Sequence, residues 1–79
     1  MKVKVFTNPS RNYFRLQTSS NSSKKLTLQV YNQLGRLVET RSDFTANDIF
    51  QIGQFYSKGT YMAEMVQGDE RIVIKLVKL

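Results

Sequence analysis

Chemistry in this chain has to come from hydroxyls and amines, because histidine and cysteine are both absent. Two stretches concentrate hydroxyls, Thr18 to Ser23 and Thr40 to Thr45. A serine or threonine becomes a nucleophile only when a base lies within hydrogen-bond reach, and no imidazole exists to serve. Lys24 and Lys25 flank the first stretch, but a lysine beside a polar loop stays solvated and protonated at neutral pH. The missing cysteines also remove disulfides, thiolate nucleophiles and the common thiolate and imidazole metal sites. Asp43, Asp48, Asp69 and Glu70 fall at expected turns, whereas a calcium site gathers several oxygen ligands in one tight loop. Gly35, Gly53, Gly59 and Gly68 are scattered singly, which leaves no glycine-rich phosphate loop. These residues predict a protein that is not an enzyme and carries no cofactor and no metal.

The charge is more informative than the hydroxyls. Lys and Arg number 12 against 6 Asp and Glu, a net charge of +6, which suits nucleic acid, lipid headgroups or an acidic protein surface. Lys2, Lys4, Lys75 and Lys78 lie at opposite chain ends and would form one basic patch if the terminal strands adjoin. Arg11, Arg15 and Arg36 would form a second. Base stacking needs exposed aromatics on the same face, for which Tyr13, Tyr31 and Tyr56 are the candidates. One reading is therefore a basic β-sandwich or small-barrel module that binds nucleic acid or another anionic partner. A solvated positive surface that keeps a small domain soluble accounts for the same charge.

The elements that must position these residues are strands. Leu26, Leu28 and Val30 alternate with Thr27, Gln29 and Tyr31, and a period of two puts the aliphatics on one face. Asn32-Gln33-Leu34-Gly35 then reads as a type I turn followed by a left-handed residue, a pattern that closes a hairpin through a bulge and favours glycine. Arg36 to Thr40 is the return strand, with Val38 expected inside and Leu37 on the opposite face. Lys2 to Phe6 is an edge strand with Val3 and Val5 inward, and Asn8-Pro9-Ser10 ends it. Tyr13 to Gln17 is the second strand, with Phe14 and Leu16 sharing a face, and Thr18 to Ser23 is a polar loop. Arg41 to Asp43 and Thr45 to Asp48 are rich in turn residues. Ile49 to Ile52 is a short strand with Phe50 and Ile52 inward, and Phe55 plugs the core beyond it. Lys58-Gly59-Thr60-Tyr61 turns into a strand alternating Tyr61, Ala63 and Met65. Gln67 to Glu70 forms a hairpin turn, and Arg71 to Leu79 is the last strand, with Ile72, Ile74 and Leu76 inward.

Residues 1–79 thus form one domain, an all-β, immunoglobulin-like antiparallel β-sandwich of about seven strands; a five-stranded barrel is the alternative. A chain of 79 residues buries only ~60–65% of its unfolded surface, so stability is modest. No apolar run approaches the ~20 residues of a transmembrane segment, and MKVKVFTNPS lacks the apolar centre of a secretory leader. Either the protein is intracellular or the domain comes from a longer chain.

Four pieces in order carry a resemblance: Val5-Phe6-Thr7-Asn8-Pro9-Ser10, Val30 to Val38, Gly59-Thr60-Tyr61-Met62-Ala63, and Lys75-Leu76-Val77-Lys78. Together they resemble the C-terminal sorting domain of the type IX secretion system. Thr7 stands where the family places a proline, and the connection from Phe50 to Gly59 is one residue longer than its pattern. The resemblance implies an immunoglobulin-like sandwich behind an N-terminal cargo domain, excised here from a longer secreted precursor. It implies passage through the periplasm, recognition by the outer-membrane type IX translocon, and final placement at the cell surface or outside the cell. It further implies a sortase-like cysteine protease that removes the domain and attaches the cargo to anionic lipopolysaccharide. Asn8, Pro9, Gly35, Gly59 and Tyr61 are then motif residues that set turns and strands. Arg36, Lys75, Val77 and Lys78, expected on the surface, are the candidates for translocon recognition. On this reading no nucleic acid is a partner.

Overall fold

The computed structural model describes residues 1–79, the side chain of Asp43 excepted. Alternating side chains produce seven strands and no helix: β1 (Lys2–Phe6), β2 (Phe14–Ser19), β3 (Leu26–Tyr31), β4 (Leu37–Phe44), β5 (Ile49–Ile52), β6 (Gly59–Gln67) and β7 (Glu70–Lys78). They form two antiparallel sheets, β1-β2-β5 and β4-β3-β6-β7. This is the expected seven-stranded sandwich. The barrel is excluded, since the sheets remain separate apart from one parallel bridge between Ser10 and Lys78.

The core lies between the sheets, where Phe14, Leu16, Leu26, Leu28, Val30, Ile52 and Leu76 are fully buried and Tyr61, Ala63 and Met65 nearly so. Each large aliphatic or aromatic taken from water contributes about 1.5–3 kcal/mol, which offsets the ordering of the strands around it. Phe50 and Ile74 pack against this cluster half-buried, and Ile72 is half-buried at the sandwich end.

Several expectations are corrected. Val38 is 42% exposed, because the register shifts from Tyr31↔Leu37 to Val30↔Glu39 and leaves Val38 without an opposite residue. That bulge turns Glu39 onto the inward side instead. Strand β4 continues to Phe44 through a second shift between Leu26 and Leu28, so Arg41 to Asp43 is strand. Asp43, expected at a turn, therefore lies within β4, and its side chain is outside the described residues. Strand β2 runs on to Ser19 and buries Thr18 completely, where a loop was expected. Phe55 is 94% exposed: Tyr56 N donates to Gly53 O across a turn (3.1 Å), and it is Tyr56 that packs on the core.

Candidate functional site

The motif residues gather at one end of the sandwich. Gly35 has φ 78°, and a side chain added there would meet nothing within 4 Å, so its demand is conformational alone. Its N–H donates to Asn32 O (3.0 Å) and Asn32 N–H donates to Arg36 O (2.9 Å), the bonds of the expected bulged hairpin. Asn32 Oδ1 also accepts from Leu34 N (2.9 Å) and Arg36 N (3.0 Å). This asparagine fixes the turn that carries Arg36 into solvent, and its type at the first turn position was the available signal.

Asn8 does more than end a strand. Its Nδ2 donates to Lys75 O (2.9 Å) and its Oδ1 accepts from Val77 N (3.0 Å), so a side-chain amide stands in for a neighbouring strand. Ser10 continues the pairing, donating to Val77 O (3.0 Å) and accepting from Leu79 N (2.8 Å). The outer edge of β7 is thereby covered from Lys75 onward. The Asn8–Pro9 bond is cis, and Thr7 has φ 60°, a conformation closed to the proline that the family pattern places there.

Of the four recognition candidates, Arg36 and Lys75 are exposed and Val77 is half-buried. Lys78 is 6% exposed, and its Nζ donates to Asn12 O and Gly53 O. The expectation of a surface Lys78 is corrected: alternation places it with Leu76 on the inward face, and two carbonyls at the open end of the sandwich receive its ammonium. Arg36 and Lys75 do not share a site either. Leu37, Tyr31, Met62 and Lys75 form one row across the sheet, which separates the two cations by three strand spacings, roughly 14 Å. Nor do the terminal lysines form one patch, since Lys2 and Lys4 lie on the outer face of the other sheet.

Tyr61, nearly buried, donates to Ser57 O (2.6 Å) and stacks on Tyr56 with ring centroids 4.7 Å apart. Gly59 opens β6 opposite Lys78. Beside them lies a half-open cleft of 690 Å³, lined by Val38, Glu39, Arg41, Phe55 and Tyr56 among others. Its floor is a polar network. Tyr56 donates to Glu39 Oε1 (2.6 Å), Arg41 Nε to Glu39 Oε2 (3.1 Å), and Arg41 Nη2 to Gln51 O (2.9 Å). Burial, then the bond to Glu39, pushes the Tyr56 hydroxyl well above the ordinary tyrosine range, so it remains a donor. Both Glu39 oxygens are thus engaged by donors of the cleft itself. Arg41 also lies 5.8 Å over the Phe50 ring, and the network ties β4 to β5 where the two sheet edges meet. The residues before β4 gave no sign of it, because the bulge at Val38 reverses which β4 side chains face inward.

The first hydroxyl stretch, Thr18 to Ser23, serves the fold at the opposite end. Ser20 Oγ donates to Gln67 Oε1 (2.7 Å) and accepts from Ser22 N (3.0 Å), Ser22 Oγ accepts from Lys24 N (3.2 Å), and Gln67 Nε2 donates to Lys24 O (2.9 Å).

A sequence model of the family described as the secretion system C-terminal sorting domain matches residues 4–79. No curated protein matches the chain.

Proposed function

Since the chain belongs to the secretion system C-terminal sorting domain family, a non-catalytic type of domain that marks proteins for type IX secretion, we propose that it is read as a folded signal by the outer-membrane translocon. The match over residues 4–79 carries this reading, because it spans all but the first residues of β1 and follows the whole sandwich to its last strand. On this proposal a cargo domain precedes Met1, the precursor crosses the periplasm, and a sortase-like protease removes the domain and fixes the cargo at the cell surface. Recognition falls on exposed Arg36 and Lys75, with Val77 beside Lys75. Lys78 acts from inside the fold and belongs to folding rather than to contact.

A reporter fused ahead of the domain and expressed in a host with the type IX machinery tests the reading. Lys75→Ala and Arg36→Ala change solvated groups, each within about ±0.5 kcal/mol of stability, so thermal unfolding stays put while export falls. Export of both variants at the parent level would remove these two cations from the recognised surface. Failure of the parent domain to direct export would remove the secretion signal itself.

A further inference from the structure

The two ends of the sandwich differ in kind. At one, the Met1 nitrogen lies 2.6 Å from Glu70 Oε2, which places any chain preceding Met1 beside the β6–β7 turn. At the other, about 30 Å away along the nine-residue strands β6 and β7, Phe55 and Leu34 stand 94% and 78% exposed. Leu37 and Val38 add further exposed apolar surface there. Large side chains so far out of the core are unfavourable in water unless something covers them.

Resting on the sorting-signal reading, the geometry points to this distal end as a docking tip, in which Phe55 and Leu34 anchor the domain to a protein surface that is apolar at its centre and acidic at its rim. Charge argues for the rim. Arg36 and Lys58 flank the two anchors, and residues 32–38 and 53–61 contain no acid. Among the described residues the carboxylate that lines the cleft is Glu39, and it is taken up by Tyr56 and Arg41. Polarity argues for protein over lipid: the cleft beside Phe55 offers Asn32, Gln54 and Ser57, and Asn32 also lines the hollow beside Leu34; a partner's backbone can satisfy these groups by hydrogen bonds and acyl chains cannot. Position argues for access, because a cargo joined at Met1 leaves this end open.

The test places Phe55→Gln, Leu34→Gln and the pair in the full reporter fusion, with thermal unfolding measured for each. Phe55→Trp serves as the conservative control. Both sites are exposed, so unfolding temperatures match the parent, whereas each Gln variant lowers export about tenfold, as loss of an interface anchor does. Phe55→Trp exports like the parent. A fall in unfolding temperature for Phe55→Gln, or parent-level export by the pair, overturns the docking tip while a functioning parent leaves the sorting signal intact. A parent that is not exported overturns both. Cosedimentation with phosphatidylglycerol and phosphatidylethanolamine vesicles that Phe55→Gln abolishes would reassign the tip to lipid. A concentration-dependent dimer abolished by the same change would reassign it to a second copy. Either result overturns the protein partner proposed.

Discussion

Lys78 decides how the end of the chain is to be tested. Its ammonium is held inside by Asn12 O and Gly53 O, which joins β7 to the loop after β1 and to the turn after β5. Lys78→Met keeps the apolar stem and leaves both carbonyls without their donor, a loss of about 2 kcal/mol. In a domain of this size the unfolding temperature drops by roughly 10 °C, read by circular dichroism. Export lost in any Lys78 variant therefore reports folding, whereas export lost in Lys75→Ala reports contact. The inward position of Lys78 was legible, since it continues the series Ile72, Ile74, Leu76. Charge argued for the surface, and two well-placed carbonyls outweighed it. Phe55 and Tyr56 were not legible in the same way. Two adjacent aromatics in a turn have no period to rank them, and only the turn at Gly53, where an added side chain would meet the Phe14 ring at 2.7 Å, sends Tyr56 inward and Phe55 out.

At the scale of elements, strands with an unbroken period of two were read correctly. Strands β3 and β6, and the Phe14 and Leu16 face of β2, have the inward residues expected of them. Strand β4 was misread because two register shifts fall within eight residues, and a bulge without glycine leaves no mark in composition. The edge of β7 was likewise invisible, because its partner is the side chain of Asn8 rather than a strand. Asn8→Ala removes a donor and an acceptor together and costs about 1–2 kcal/mol. Hydrogen exchange locates the effect: the Val77 amide, which donates to Asn8 Oδ1, exchanges faster, while the β7 amides facing β6 keep their protection. Unchanged exchange at Val77 would show that the amide of Asn8 is not its partner in solution.

Across the whole molecule the charge is unevenly spread. Lys2, Lys4 and Arg15 share the outer face of the three-stranded sheet with Phe6, Gln17, Ser19, Ile49 and Gln51, so that among the described strand residues this face carries cations and no carboxylate. The pairing of Lys4 with Gln17 and of Phe6 with Arg15 sets Lys4 and Arg15 on a diagonal about 7–8 Å apart. Raising ionic strength from 0.01 to 0.15 M shortens the screening length from about 30 to about 8 Å. The unfolding temperature therefore rises by a few degrees over that range; a fall would mean that the ion pairs Glu39–Arg41 and Glu64–Arg71 outweigh the repulsion. The clasp of Asn8 and Ser10 on residues 75–79 has a further consequence in time. A ribosome makes Asn8 and Ser10 before the strand they grip. Until Lys78 has emerged, the sheet lacks its outer strand, Asn8 has nothing to hold, and the carbonyls of Asn12 and Gly53 wait unpaired. A chain broken off before β7 thus carries Asn8, Pro9, Gly35, Gly59 and Tyr61 without the strand that Asn8 and Ser10 clasp, so that the completed sandwich certifies that translation has passed through β7.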